Sequence, residues 1–239
     1  MVVATKAIVF SAIKYAEADL IVGCFTEAAG MKSYLLHRVL KAKKSKLKAS
    51  LFQPLTQLDL IAEHKNKGTL EYIKEAKINY PYQTLHTDVV KGGMVMFLAE
   101  MLKNSIREEE PNAGLYVFLE SMLQWLDSNE AIANFHIYFL LQLSRYLGFY
   151  PDDTHLSKPY FNLEEGVFQE TPTAQHCLAG EAVENFKHFF PIGLDTLHTL
   201  SLTKTQRKDV LMLVLAYYRF HLHGFKIPKS LAVLNQLFA

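Results

Sequence analysis

The hydrophobic pattern of this chain changes once, at Pro81, and that change limits the folds it can adopt. Before Pro81, short segments rich in Ile, Val and Phe alternate partly with polar residues, which is typical of half-buried strands. The predicted strands cover residues 6–15, 20–26, 31–39, 51–64 and 69–78. After Pro81, apolar residues recur at three- and four-residue intervals, which is typical of amphipathic helices.

Turn residues connect the predicted strands in a way that favours antiparallel pairing. Gly30 closes a turn between the second and third strands, and Asn66-Lys67-Gly68 predicts a hairpin between the fourth and fifth. Alternation in the third strand places Tyr34 and Leu36 on one side. Because closing a sheet removes its exposed edges, five strands within 80 residues favour a small barrel. The oligonucleotide-binding (OB) fold is the natural candidate.

Residues 81–239 predict an all-α domain with one irregular interruption. Helical spacing covers residues 84–106, 113–127, 130–148, 178–190, 193–200, 204–223 and 230–238. Residues 149–177 are instead turn-rich, with three prolines and one glycine. The sequence therefore predicts a multidomain α+β protein. A five-stranded OB-fold barrel at residues 1–80 is followed by an all-α C-terminal domain at residues 81–239.

Net charge differs in sign between these two predicted domains. Residues 1–80 hold 13 Lys/Arg and 7 Asp/Glu, whereas residues 81–239 hold 12 and 17. Such asymmetry indicates a basic module for a polyanion, joined to a module with another role. Cys24 and Cys177 form no pattern, and neither a membrane-spanning apolar run nor a signal peptide is visible. We therefore expect a cytoplasmic protein without a membrane partner.

The strongest local signal is a basic segment at residues 38–48. It contains six cations within 11 residues: Arg38, Lys41, Lys43, Lys44, Lys46 and Lys48. No acidic residue occurs from Ala28 to Leu58, and Lys32 adds a seventh cation. Cations without nearby acids suit phosphate, because binding releases condensed counterions without sequence preference. Tyr34, Phe52 and Tyr15 could stack on unpaired bases. The alternative interpretation is a solvated basic loop that prevents aggregation.

Signatures of catalysis and of metal binding are weak. No phosphate loop, nucleophile elbow or H-E-x-x-H motif occurs. Cys177 follows His176, and His155 lies upstream, but structural zinc takes four Cys or His ligands in short paired spacings. We therefore expect no metal site, no cofactor and no catalytic residue.

Several motifs occur in an order that is typical of one protein family. Glu17-Ala18-Asp19 precedes a strand that ends in Phe25-Thr26 and a glycine turn, and the order continues through the basic segment to Gln53-Pro54. The segment YYRFHLHGF lies near the C-terminus, at residues 217–225. With these motifs the chain resembles the RecO family of recombination proteins, whose closing helix is similar to that segment, and the resemblance spans nearly the whole chain.

The resemblance implies a non-enzymatic mediator of the RecF-type pathway in DNA repair. Such proteins bind single- and double-stranded DNA and anneal strands coated by single-strand-binding protein, whose C-terminal tail is a partner. They also help RecR to load RecA. The family's basic surface corresponds to the basic segment together with Lys14 and Lys32. Many relatives carry a four-cysteine zinc motif where residues 149–177 hold one cysteine, so hydrophobic packing is expected instead.

Two other functions are compatible with parts of this pattern. A basic OB-type barrel does not distinguish DNA from RNA, so an RNA-binding module is the main alternative. A nuclease would need carboxylates that hold metal ions beside the basic surface. The acid-free span from Ala28 to Leu58 argues against that third possibility.

Overall fold

A computed structural model describes residues 1–41, 47–65, 70–173 and 175–238. The chain begins with a meander of five antiparallel strands, whose order in the sheet is β3-β2-β1-β4-β5. Their bounds are β1 (Val2–Tyr15), β2 (Asp19–Thr26), β3 (Gly30–Leu36), β4 (Gln57–Glu63) and β5 (Tyr72–Ile78). The predicted α+β class is therefore confirmed, with strands first and helices after them. The predicted hairpin turn at residues 66–68 lies outside the described residues.

The long strand β1 holds this sheet together. Its first half pairs with β4, from Val2 opposite Glu63 to Ile8 opposite Gln57. Its second half pairs with β2 as far as Tyr15, and the register shifts between Val9 and Ser11. A bulge of this kind bends a strand and increases its twist. The bulge therefore allows β1 to pair with β4 along its first half and with β2 along its second half.

The inner face of the sheet is a continuous hydrophobic core. Its members alternate along the strands, as side chains on one face of a strand must. They are Ala7, Val9, Leu20, Val22, Cys24, Tyr34, Leu36, Val39, Phe52, Leu58, Leu60, Ala62 and Ile73. The predicted pairing of Tyr34 with Leu36 on one side is confirmed.

The prediction of a fully closed barrel is wrong. Within the described part of the chain, the edge strands β3 and β5 meet only at an isolated parallel bridge between Tyr34 and Glu71. The Glu71 amide donates to the Ser33 carbonyl at 2.8 Å, and the Leu35 amide donates to the Glu71 carbonyl at 2.9 Å. Because the edges meet at this one bridge alone, the sheet curls but does not close.

The strand predicted at residues 51–64 begins only at Gln57. A short 3₁₀ turn, Ala49–Phe52, precedes it, and the chain then bends at Leu55, which has φ 63°. Pro54 cannot donate a ladder hydrogen bond, and a positive φ is incompatible with extended strand. These two residues separate the basic segment from β4.

Two helices, α1 (Val89–Ser105) and α2 (Ala113–Ser128), follow the sheet. They cover its outer face, where Phe25 stacks on Phe10 at 5.9 Å and on Tyr116 at 6.2 Å between ring centroids. Lys6 adds an ion pair with Glu120 at 3.0 Å. The chain consequently divides into two compact units between residues 128 and 129. The domain boundary predicted near residue 81 stays a prediction, although the last strand of the sheet ends and the first helix begins near that residue.

The second compact unit contains the remaining helices and a small sheet. Its helices are α3 (Phe135–Tyr146), α4 (Glu181–Lys187), α5 (Lys204–His221) and α6 (Leu231–Leu237), with a 3₁₀ turn at Leu194–Thr199. Thr203 and Gln206 form a capping box at the start of α5. The segment predicted to be irregular forms three short strands in the order β7-β6-β8: β6 (Tyr160–Asn162), β7 (Val167–Gln169) and β8 (Cys177–Leu178). Two- and three-residue strands are too short to show periodicity.

The connection from sheet to helices is fastened by one carboxylate, Asp127 near the end of α2. It accepts hydrogen bonds from the backbone amides of Gln83, Thr84 and Leu85 at 2.8 to 3.1 Å. Lys91 donates to the Asp127 carbonyl at 2.7 Å. Burial alone would raise the pKa of Asp127, but the three amides outweigh it and hold that pKa below its usual value.

We predict that Asp127→Asn lowers the free energy of unfolding by about 1 to 3 kcal/mol at pH 7, because hydrogen bonds to a charged acceptor are lost. Since the folded-state pKa is lowered, this stabilisation is present above the unfolded pKa of about 3.9 and is lost as pH falls through the folded value. Urea titrations at pH 7 and at about pH 2.5, well below the unfolded pKa, measure the difference, with exposed Asp209→Asn as the control. Equal stability of Asp127→Asn and wild type at pH 7 would contradict the assignment.

Candidate nucleic-acid interface

The basic segment begins at a turn that is fixed by Asp19, at the start of β2. The Arg38 amide donates to Asp19 Oδ1 at 2.8 Å, and His37 Nδ1 lies 3.1 Å from Oδ2. The Arg38 amide, together with the His37 ring, holds the pKa of Asp19 below its usual value. Arg38 has φ 55°, a conformation that is unfavourable for a residue with a Cβ. The carboxylate therefore stabilises the bend at Arg38, and the Leu40 amide donates to the Ala18 carbonyl at 3.0 Å directly after it.

The described cations of the predicted set differ in exposure. Lys14, Arg38, Lys41 and Lys48 are exposed. Lys32 is buried, with 9% of its side chain accessible, and its Nζ lies 3.0 Å from Glu109 Oε2. Predicted residues Lys43, Lys44 and Lys46 lie outside the described residues.

Two acidic residues that are remote in sequence approach these cations. Lys41 Nζ lies 2.6 Å from Glu17 Oε2, and both side chains are largely exposed. Glu109 reaches Lys32 from the segment after α1. No acidic residue occurs between residues 28 and 58 of the sequence, but in the folded chain Glu17 and Glu109 pair with two of the cations in that span.

The stacking role predicted for Tyr34 and Phe52 is wrong. Tyr34 is fully buried and its hydroxyl lies 2.8 Å from His64 Nε2, while Phe52 is 1% exposed within the same core. An aromatic ring without accessible surface cannot receive a base. Tyr15 differs, because it lies at the end of β1 beside Lys14 and is 51% exposed.

Sequence reasoning missed an aromatic group at the start of β5. The Tyr72 ring is partly exposed and is stacked on the His37 ring, with centroids 6.1 Å apart and planes 27° apart. Lys65 Nζ lies 4.9 Å from the centroid of Tyr72. These three residues come from different loops and strands, so no spacing in the sequence could indicate the cluster.

The donor set of the second unit does not fit a structural zinc site. Cys177 Sγ accepts a hydrogen bond from Gln169, and the His176 ring packs on Phe220 with centroids 4.7 Å apart. No cluster of three or more His, Cys, Asp or Glu suited to a metal occurs within residues 1–41, 47–65, 70–173 and 175–238. One cysteine cannot supply the paired ligands that structural zinc requires.

An aromatic cluster occupies this region instead. The buried Phe161 of β6 has ring contacts with Phe168 at 4.8 Å, Tyr217 at 5.3 Å and Phe186 at 5.4 Å between centroids. Phe190 extends the cluster from beyond α4, at 5.0 Å from Phe186. The expected hydrophobic packing of this segment is therefore present, and it joins the small sheet to α4 and α5.

In fold, the chain is a two-part α+β protein with a curled five-stranded sheet, cationic loops and a helical C-terminal part. None of the helices in its described residues is long and apolar enough to cross a membrane. Two family models match it: Recombination protein O N terminal at residues 1–82, and Recombination protein O C terminal at residues 86–231. The chain belongs to the RecO family.

Relatives named DNA repair protein RecO match over the whole length. Those from Christiangramia forsetii and Flavobacterium psychrophilum are 50% and 46% identical over 238 and 239 aligned residues, which are 100% of both chains. The protein from Bacteroides fragilis is 36% identical across 98% of each chain. The predicted family is confirmed, and membership assigns the chain a role in DNA repair and recombination.

We predict that Phe161→Ala lowers the free energy of unfolding by about 3 to 5 kcal/mol, because it opens a cavity inside the aromatic cluster. Chelation with EDTA should leave the melting temperature unchanged. Denaturant unfolding and elemental analysis measure the two effects, and Tyr160→Ala, at a partly exposed neighbour on β6, is the control. One zinc per chain, with unfolding on chelation, would contradict this account.

Proposed function

We propose that this chain is a non-enzymatic recombination mediator that binds single- and double-stranded DNA and anneals complementary strands coated by single-strand-binding protein. The observation that carries the proposal is the basic segment of residues 38–48. It lies in an acid-free span of a RecO-family chain, and its described cations Arg38, Lys41 and Lys48 are exposed.

Phosphate neutralisation is the physical basis of this binding. Each cation that contacts a phosphate releases condensed counterions, so affinity falls with salt and depends little on base sequence. Binding without base preference suits an annealing protein, since complementary strands of any sequence must be held. Exposed Tyr15, beside Lys14, adds a ring on which an unpaired base could stack.

The proposed partners follow from family membership. They are RecR, the C-terminal tail of single-strand-binding protein and, through RecR, RecA. A protein that acts on chromosomal DNA with these partners would work in the bacterial cytoplasm, in association with the nucleoid.

An annealing assay tests the proposal most directly. Complementary DNA oligonucleotides are coated with single-strand-binding protein from the same organism, and duplex formation is followed by fluorescence. We expect the protein to accelerate annealing of coated strands well above the spontaneous rate, with less effect on complementary RNA. No acceleration, or a preference for RNA, would contradict the proposed function.

We predict that the triple variant Lys43→Glu, Lys44→Glu, Lys46→Glu weakens DNA binding equally for oligonucleotides of different base composition. If about six phosphates are neutralised on a single strand, the log–log salt slope of the wild type should be about −4, and the variant slope should be shallower by about 2. Fluorescence anisotropy across a salt series measures both.

A charge-matched control for that variant reverses the charge of three residues that are exposed on α5: Lys204, Lys208 and Arg219. It changes net charge equally but should leave affinity and slope near wild type. Loss of affinity for a single base composition would mean that the basic segment reads bases, which would contradict phosphate binding. Circular dichroism verifies that both variants fold.

A further inference from the structure

A second cationic surface lies outside the basic segment, in a groove of about 840 Å³ within the first compact unit. One wall is β3 together with the start of β5, near the bridge between Tyr34 and Glu71. The other wall is the C-terminal end of α1 and the residues that follow it. The cations that line the groove are Lys32, Lys65, Lys103 and Arg107.

The carboxylates in the groove are already engaged. Glu71 accepts a hydrogen bond from the Lys65 amide at 2.7 Å, and Glu109 pairs with Lys32. Lys103 lies in the last turn of α1, and Arg107 lies two residues beyond the end of that helix. Both are exposed, and within the described chain neither has a carboxylate within ion-pair distance. The groove therefore presents positive charge that the protein itself leaves unneutralised.

An aromatic surface stands at the same groove. Tyr72 is among the lining residues, with the Lys65 ammonium on its ring and the His37 ring stacked against it. His37 is adjacent in sequence to Arg38, where the basic segment begins. The aromatic cluster therefore lies between the groove and Arg38.

Backbone contacts fix the end of α1 against β3. The Met31 amide donates to the Glu108 carbonyl at 3.0 Å. Gly30 has φ +62°, and a Cβ there would lie 2.7 Å from the Glu108 carbonyl oxygen, so only glycine allows this close approach. Lys103 and Arg107 consequently lie on a wall that is attached to the sheet.

We propose that this groove binds a single-stranded polynucleotide, with Lys65, Lys103 and Arg107 neutralising phosphates and Tyr72 stacking on a base. The inference rests on the proposed function and extends it to Lys103 of α1 and to Arg107 just beyond it, which belong to no strand of the sheet. A single strand needs phosphate contacts and accessible aromatic surface together, and the groove combines its cations with the partly exposed Tyr72 ring. An acidic peptide would use the cations but not the Tyr72 platform.

The test compares two double variants with fluorescein-labelled oligothymidylate. Lys103→Gln with Arg107→Gln removes the pair in the groove. Lys204→Gln with Lys208→Gln removes an exposed pair of the same charge and the same four-residue spacing on α5. We expect the first variant to bind more weakly, with a salt slope shallower by about 1.4, and the second to match the wild type.

A third variant, Tyr72→Leu, separates stacking from charge. We expect it to weaken binding at least about fivefold without changing the salt slope, because it removes a ring and no charge. Tyr160→Leu, at a partly exposed tyrosine of the second unit, is its control. Thermal unfolding of every variant excludes loss of fold as the cause.

Each alternative outcome has a definite meaning. Equal losses of oligonucleotide affinity in the two double variants would show a general charge effect and overturn the proposal that the groove is a binding site. If the groove variants bind like the wild type while charge reversal at Lys43, Lys44 and Lys46 abolishes binding, the groove proposal is overturned. The proposed function would then still stand. Loss of affinity for an acidic peptide but not for the oligonucleotide would also overturn the groove proposal. A wild-type protein that binds no oligonucleotide would overturn both proposals.

Discussion

The double pairing of β1 is the constraint on which the first compact unit depends. Its 14 residues carry the ladder to β4 and the ladder to β2, and the two overlap at Ala7 and Ile8. One face of the strand fills the core of the curled sheet, while Phe10 on the other contributes to the stack under the helices. Because a one-residue slip in register would exchange these faces, both layers require the same register.

Alternation and helical spacing predicted much of this fold, and they failed where local sequence carries little information. Alternation correctly placed Tyr34 and Leu36 on one side of the third strand, but it did not show that this side faces the core, where Tyr34 cannot stack on a base. The small sheet around Phe161 could not be predicted, because its strands have two or three residues and its stability comes from rings on α4 and α5. Closure of the barrel also depended on how far the edge strands extend, which strand propensity does not determine.

The candidate interface was predictable as a segment but not as a surface. A run of cations without acids is visible in the sequence, yet Glu17 and Glu109 reach it from other parts of the chain. Tyr72, Lys103 and Arg107 line one groove with Lys32, and they meet there through tertiary structure alone. Local charge therefore indicates the kind of ligand, and the fold determines which side chains meet it.

The carboxylates of the first unit show how a protein can remain stable and still keep cations available. Asp19, Glu71 and Asp127 each accept hydrogen bonds from backbone amides, so their charges stabilise turns and connections. Where a cation is paired at the surface, as Lys41 is with Glu17, both groups are exposed, and such a pair contributes only about 0 to 1 kcal/mol. A phosphate can displace Glu17 at small cost, whereas displacing the amide-bound carboxylates would disrupt the turns that position the interface.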